Sequence, residues 1–492
     1  MVQSYSIIAA FIIYLSVMMF IGVYFYRRTR NMSDYILGSR RLGAWVISMS
    51  AEASDMSGWM LMGLPGYAYV AGLNAGWIAL GLGLGTLANW KLVAARLRKY
   101  TELANNSLTL PDFLQNRYGD RSSLLRIVPA VFILIFFIIY TSSSFVAGGK
   151  LFETVFGLPY IWALLLGAAV VIFYTSVGGF LAVVWTDFIQ GIMMFCAIFL
   201  VPAMAVYALG GISATESAIT AINPAFFAPL TKPDGSAMSL VELASLLGWG
   251  LGYFGQPHIL VRFMAIHSSA ALRHATRIAM TWVVVALAAA VLVGMVGRPF
   301  LSGELSGAGA ETVFLVMTHE LFSPFFAGII LSAVLAAIMS TVSSQLLVAS
   351  SAFAQDIYHT TLRRDATEGE LVWVGRISTF VIAALAMLLA LNPDSFILDI
   401  VAYAWAGFGA AFGPAILASL FWRRATRNGI LAGIIVGGLV VLIWKQLALF
   451  GLYEIIPGFF LSALAIYIVS LLDTPPSEEI VAVFDQVEKS DI

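Results

Sequence analysis

Residues 48–59 read Ser48-Met49-Ser50-Ala51-Glu52-Ala53-Ser54-Asp55-Met56-Ser57-Gly58-Trp59, a polar, small-residue run inside a stretch otherwise apolar and long enough to cross a membrane. A carboxylate at bilayer depth costs about 3 kcal/mol on insertion scales, so an acid placed there is a candidate functional group in need of a partner. Asp55 lies twelve residues beyond Gly43, roughly 18 Å along a helix, which sets it near the middle of a hydrocarbon core about 30 Å thick. Ser50, Ser54, Ser57, Gly58, Gly63, Pro65 and Gly66 surround it with hydroxyls and poor helix formers. The helix is therefore expected to open and free carbonyl oxygens, which a membrane tolerates only where the backbone lines a cavity. No Lys or Arg lies at matching depth in another span, so the expected partner is a cation from outside; the competing reading is a tightly packed helix whose acid meets an internal cation.

The rest of the chain has membrane character. Of its 492 residues 60% are hydrophobic and 11% charged, with a mean hydropathy of +0.92, against about 45–50% apolar and 25% charged in soluble domains. A net charge of −1 gives no basis for a nucleic-acid or acidic partner. The single cysteine, Cys196, reads as a packed thiol within an apolar run. The first apolar run, 5–26, is too long for a signal-peptide core, lacks a basic leader and is followed by Arg27, Arg28 and Arg30, so it is the first span.

Allowing about 20 apolar residues per crossing predicts an all-α polytopic protein with thirteen transmembrane helices, near 5–26, 43–72, 75–95, 124–152, 160–178, 187–209, 239–264, 275–297, 324–355, 371–391, 396–421, 429–446 and 452–472. With that count, 22 of the 26 Lys and Arg fall on one face, leaving Lys150, Lys232, Arg298 and Lys445 on the other. Cations collect on the cytoplasmic side, so the N-terminus is expected outside and the C-terminus inside. Residues 1–472 form one transmembrane domain; the acidic segment 473–492, opening with Pro475-Pro476, is expected as a short exposed cytoplasmic tail with no partner module.

Two further spans complement the opening run. Span 9 carries Ala336-Ala337-Ile338-Met339-Ser340-Thr341-Val342-Ser343-Ser344, with Ser340 near the midplane. Adjacent hydroxyls at that depth suit a hard monovalent cation, although alone they also read as hydroxyls bonded back to their own helix. Span 7 carries Gly248-Trp249-Gly250-Leu251-Gly252-Tyr253-Phe254-Gly255-Gln256-Pro257-His258. Its glycines and proline argue for a second interrupted helix, and Trp249, Tyr253 and Pro257 share one face while it stays helical. Paired broken helices in two half-folds mark a transporter's midplane site.

Other features admit two readings each. Tyr140 reads as a cavity hydrogen bonder or a lipid-interface tyrosine, Asp187 as a helix N-terminal acid or a functional one, and Arg40 with Arg41 as topogenic charges. Gly429, Gly433 and Gly437 form a small-residue ridge for helix packing or for a dimer contact. Enzyme signatures fail: Gly148-Gly149-Lys150 is followed by Leu151, His319-Glu320 has Ser323 where a second His belongs, no G-x-S-x-G occurs, and the five His form no ligand cluster. No enzyme activity is expected.

The runs 53–59 and 248–258, the hydroxyl cluster from Ser340, and Tyr403-Ala404-Trp405-Ala406-Gly407-Phe408-Gly409-Ala410-Ala411-Phe412-Gly413-Pro414 together resemble the bacterial sodium/solute symporter family in residue type, order and spacing, over about residues 30–460. The resemblance implies a LeuT-like five-plus-five inverted-repeat core in the bacterial cytoplasmic membrane, with repeats near 43–209 and 239–421, broken helices 2 and 7, and spans 1, 12 and 13 as additions. It implies uptake of L-proline coupled to sodium by alternating access, sodium being the coupling ion and no cofactor being needed. Ala53, Met56 and Ala337 would bind sodium through backbone oxygens and Ser340 and Thr341 through hydroxyls, with Asp55 beside them serving both ion and substrate. Proline would lie between Ser57, Gly58 and Trp59 on one side and Trp249, Tyr253, Gln256 and Pro257 on the other, near Tyr140. Arg40 would belong to the inner gate and Asp187 to the sodium path. Other readings are symport of another small amino or carboxylic acid, protons in place of sodium, or a channel or receptor. One departure is Glu52, where the family usually has a small residue; it is expected to face a cytoplasmic water path or to pair with Arg40 or Arg41.

Overall fold

The computed structural model describes residues 2–26, 32–177 and 179–489; Arg27, Arg28 and Arg30, counted above with the inner face, lie outside them. The described residues are helical, with two isolated bridge pairs, Leu42 with Ile266 and Thr231 with Ala237, in place of any strand. Ten helical runs among them are long and apolar enough to cross a membrane, and Tyr160–Thr175 and Leu240–Gly255 are shorter apolar helices. This count is lower than the expected thirteen. One of the ten, Trp59–Leu103, is broken at Gly72, whose φ of +65° ends Leu64–Ala71 before Gly76–Ala88 begins, and helices near interruptions fall short of full span length.

The centre is the helix Pro324–Ser351, which is buried along most of its length. Val2–Tyr26, Leu124–Phe156 and Phe180–Ala208 pack around it. Small residues set how closely helices approach. A Cβ on Gly328 would stand 2.8 Å from that of Ala10, so the first helix seats directly on the central one. The ridge of Gly429, Gly433 and Gly437 is used inside the molecule: side chains there would collide with Ser470, Ile466 and the Ala410 carbonyl. Of the two readings of that ridge, internal packing is the one realised.

Connections between the long helices are tied down by buried polar groups. Lys150, near the C-terminal end of Leu124–Phe156, donates to Glu311 Oε2 at 2.8 Å, to the Ser395 carbonyl at 2.8 Å and to the Ala308 carbonyl at 3.3 Å. Glu311 in turn accepts from the backbone N–H groups of Ile397 and Leu398 at 2.8 and 3.0 Å, the unbonded donors that open the helix Ile397–Phe421. One ion pair thus joins a loop and two helices.

The C-terminal segment is not the exposed tail expected from sequence. After Pro475-Pro476 it forms the amphipathic helix Glu478–Glu488, which buries Phe484 and Val487. Phe484 lies among Tyr100, Arg96 and Arg117, with ring or guanidinium distances of 6.4, 5.5 and 5.4 Å. Asp485 pairs with Arg423 through two bonds of 2.9 Å. The spacing of Ile480, Val483, Phe484 and Val487 at helical intervals is the signal in the sequence.

Breaking the Lys150–Glu311 pair by Lys150→Met leaves a buried carboxylate without its cation and is expected to cost about 3–5 kcal/mol. Thermal unfolding of the detergent-purified variant checks this, the expectation being a clear fall in midpoint against the wild type.

Candidate functional site

The opening run is interrupted where its composition suggested. The helix Ala44–Asp55 ends as Met56 turns to φ −85°, ψ 79°, and the Ser57 N–H bonds back to the Asp55 carbonyl at 3.0 Å. Helix resumes with a wide turn, Trp59–Gly63, and then Leu64–Ala71. Gly58 is dictated by proximity, since a Cβ there would stand 2.7 Å from Ala147 Cβ on Leu124–Phe156. The second glycine-rich run behaves similarly. Leu240–Leu247 tightens into a 3-10 stretch, Gly248–Gly255, Gln256 is extended at φ −77°, ψ 107°, and Pro257 opens the helix Pro257–Ala265, where its missing N–H costs nothing. Gly252 and Gly255 let this backbone lie directly on Trp405 and on the Phe408 carbonyl.

The two interruptions meet at Asp55. Its Oδ2 accepts from the Tyr253 hydroxyl at 2.6 Å, and its Oδ1 is buried with no hydrogen-bond partner among the described residues. Its backbone carbonyl accepts from Trp59 Nε1 at 3.1 Å and from the Tyr140 hydroxyl at 3.3 Å. Tyr140 is wholly buried, which excludes a lipid-interface position. On the neighbouring face, the Ser340 hydroxyl donates to the Ala53 carbonyl at 2.7 Å and to the Ala337 carbonyl at 3.1 Å. Thr341 Oγ1 is buried and unpartnered. Of the residues expected on the ion side, Ala53, Ala337 and Ser340 are therefore joined, and an oxygen of Asp55 and one of Thr341 have no hydrogen-bond partner among the described residues.

On the opposite side the aromatic groups converge. Trp59 and Trp249 have centroids 6.4 Å apart, and Tyr253 stands edge-on to Trp405 at 4.9 Å. Gln256 Nε2 donates to the Gly252 and Trp405 carbonyls at 3.1 and 3.3 Å. Ser57, Trp59, Tyr140, Tyr253 and Gln256 are each at most 1% exposed and Trp249 5%, so these groups are packed away from solvent. Trp405 was quoted in the sequence only as part of a motif; its indole donates to the Trp249 carbonyl at 2.7 Å, which makes it a support for the interrupted helix.

Charges toward the N-terminal end of Ala44–Asp55 differ from expectation. Asp187 does not cap a helix, because Phe180–Ala208 begins seven residues earlier. Its Oδ2 accepts from the Ser50 hydroxyl at 2.7 Å and from Arg262 Nη2 at 3.1 Å. Arg262, wholly buried, also donates to Ser50 Oγ at 3.1 Å, Ser344 Oγ at 2.5 Å and the His258 carbonyl at 2.7 Å. Sequence counting placed it among the inner-flank cations and missed this network. Arg40, at φ +54°, donates to the Met264 and Ser107 carbonyls at 2.6 and 2.8 Å and to Thr101 Oγ1 at 3.2 Å. Burial and the nearby Arg98 lower its pKa to about 10, so it remains a cation at neutral pH while fastening the start of the interrupted helix. Glu52 pairs with neither Arg40 nor Arg41. It is buried and accepts from Trp90 Nε1 at 3.1 Å, because the inward turn of its helix faces Asn89–Val93 and not the inner surface.

A bundle of membrane-length helices whose free polar oxygens converge on two interrupted backbones at its centre defines an ion-coupled solute carrier. The chain belongs to the sodium:solute symporter family, whose model matches residues 35–437. It is 50% identical over 482 residues to the sodium/proline symporter of Escherichia coli (strain K12), covering 97% of this chain and 95% of that one. It is 47% identical to the high-affinity proline transporter PutP of Bacillus subtilis (strain 168), covering 96% and 99%. Among solved structures it resembles a substrate-bound, outward-open Na+-coupled sialic acid symporter, with a TM-score of 0.77 at 21% identity over 96% of this chain and 99% of that one. It also resembles MhsT in complex with L-phenylalanine, with a TM-score of 0.55 at 15% identity over 87% and 97%. At these identities the structural likenesses show the fold alone.

Tyr253→Phe removes the one hydrogen bond to the Asp55 side chain and is expected to cost about 1.5–3 kcal/mol, the range for a bond to a charged group. In an Asp55→Asn background the same change should cost at least ~1 kcal/mol less. A double-mutant cycle on thermal or denaturant stability measures this coupling; additive effects would contradict the bond.

Proposed function

We propose that the protein is a secondary active symporter that takes up L-proline with sodium by alternating access across a bacterial cytoplasmic membrane. The observation that carries this is the agreement of two independent findings. Identity of 50% runs along nearly the whole length of a sodium/proline symporter, and the centre of this chain holds a buried carboxylate oxygen and a buried threonine hydroxyl without protein partners.

Sodium, carried as cargo, is held by the carbonyls of Ala53, Met56 and Ala337 and the hydroxyls of Ser340 and Thr341, with Asp55 alongside. Hydroxyl and carbonyl oxygens are the donors a hard monovalent cation takes. The Ser340 hydroxyl already bridges Ala53 and Ala337, so an ion entering there links the interrupted helix to the central one. Proline lies between Ser57, Gly58 and Trp59 and the row Trp249, Tyr253, Gln256 and Pro257, beside Tyr140; its ring meets indole and phenol faces and its charges meet freed polar groups. Arg40 fastens the inner gate, and Asp187 lies on the ion's way inward.

The proposed architecture is the five-plus-five inverted repeat with thirteen crossings. Residues 44–71 supply one crossing and 76–95 the next, divided at Gly72, whose φ of +65° ends the preceding helix. The helices Tyr160–Val177 and Leu240–Leu247 with its continuation supply the two short ones. Phosphatase or fluorescent-protein fusions test the orientation: fusion near residue 234 should report the outside and fusion at 492 the cytoplasm.

Proteoliposomes should accumulate labelled L-proline under an inward sodium gradient and not under a proton gradient alone. Accumulation driven equally by protons, or none with proline but some with betaine, pantothenate or a sugar, would overturn the assignment. Asp55→Asn and Thr341→Val should each abolish most of the sodium activation while the protein remains folded in the membrane. Trp59→Ala should raise the proline Kd by at least about tenfold, the effect of losing a buried aromatic contact of about 1.4 kcal/mol or more.

A further inference from the structure

Beside the interruptions lie buried polar atoms to which the roles above give no partner. His258 is wholly buried as the second residue of Pro257–Ala265. Its ring stands edge-on to Tyr140 at 6.0 Å and to Phe137 at 5.7 Å, and neither Nδ1 nor Nε2 has a hydrogen-bond partner among the described residues. Gln345, one helical turn beyond Thr341 on Pro324–Ser351, is also wholly buried. Its Oε1 accepts from the Thr141 hydroxyl at 3.1 Å, which orients the amide, and its Nε2 has no partner. Tyr140 and Thr141 are consecutive, so the two unused donors approach the same turn of Leu124–Phe156 from different helices.

Two further unused atoms are acceptors. The Tyr140 hydroxyl bonds to the Asp55 carbonyl at 3.3 Å, next to the free Asp55 Oδ1. Gln256 Oε1, two residues before His258, is likewise free. Unused donors on His258 and Gln345 and unused acceptors on Asp55 and Gln256 therefore lie on the elements packed around Tyr140. Nearly all buried polar groups in folded proteins are hydrogen-bonded, so a polarised set of this kind calls for a polarised partner from outside the chain, as a zwitterionic amino acid is.

We propose that His258 and Gln345 bind the carboxylate of the substrate, leaving Asp55 and Gln256 to face its secondary ammonium. This rests on the reading of the protein as an L-proline carrier. A neutral imidazole offers one N–H and the amide two, against the four lone-pair sites of a carboxylate. Arg262, the neighbouring cation, does not compete for that role, because it is committed to Asp187, Ser50, Ser344 and the His258 carbonyl. Recognition by neutral donors is specific for the carboxylate without trapping it as a buried ion pair would, which suits a site that must release its cargo.

The test compares an acid with its amide. Binding of L-proline and of L-prolinamide, which lacks the carboxylate, is measured by calorimetry and competition on purified protein at saturating sodium. The wild type, His258→Phe, His258→Gln and Gln345→Met are compared. His258→Phe and Gln345→Met should each weaken L-proline by about 10- to 100-fold and shift L-prolinamide by less than about threefold, so that discrimination between acid and amide collapses. His258→Gln, which restores an N–H donor, should recover most of the loss. Proteins that unfold would lose both ligands together; retained sodium-dependent thermal stabilisation identifies the folded ones. Equal weakening of acid and amide in a folded variant, or no change in either, overturns the assignment. If the wild type binds a different amino acid in place of L-proline, the proline reading falls and the same acid-against-amide comparison on that amino acid decides the carboxylate site. If it binds no amino acid, both fall.

Discussion

The rest of the structure depends on a carboxylate placed at the centre of a membrane protein and given too few partners. Among the described residues Asp55 has one side-chain hydrogen bond, from Tyr253, and no basic residue bonded to it. In a low-dielectric interior an under-satisfied acid is costly, and that cost is useful if it is relieved by an ion arriving from outside. The single bond also joins the two interrupted helices, so the state of Asp55 is felt in both halves of the fold. On the proposed assignment, an ion between Ala53, Ala337 and Ser340 would tie the first interrupted helix to the central post. It would thereby set the position of Ser57, Gly58 and Trp59, four to six residues beyond Ala53 on the same backbone.

Other buried acids show what the fold does when no ligand is required. Asp187 is matched by Arg262 and Ser50, Glu311 by Lys150 and two backbone N–H groups, and Asp356 by Arg126 and Thr109. Each joins at least two helices, and each cation comes from a part of the chain distant in sequence. Such pairs add little net stability but are expensive to break, which makes them suitable bolts between moving parts. Glu52 stands apart: it has an indole N–H from Trp90 and no cation, and the structure gives no account of its advantage over a small residue.

The parts of the centre legible in the sequence were those where composition contradicted its surroundings. An acid flanked by serines and glycines in an apolar span, adjacent hydroxyls at midplane depth and a glycine run ending in Gln256-Pro257 all violate what a simple membrane helix needs, and violations of that kind mark function. The parts that were not legible depend on pairing across long separations. Arg262 looked like one more inner-flank cation, Asp187 like a helix-terminal acid and the histidines like scattered single residues, because a partner 75 residues away, as Asp187 is from Arg262, leaves no local pattern. The C-terminal helix was passed over because its prolines and acids drew attention from the apolar spacing behind them.

If Asp55 and its neighbours couple the ion to the solute, each ligand must change the other's affinity by the same factor. The most direct measurement is a closed thermodynamic square on the purified protein. The Kd of L-proline is determined with and without saturating sodium, and the Kd of sodium with and without saturating L-proline. The account predicts that sodium tightens proline and that proline tightens sodium by an equal factor of at least about five, the lower end of typical coupling energies. Proline binding of the same strength in the presence and absence of sodium would contradict it.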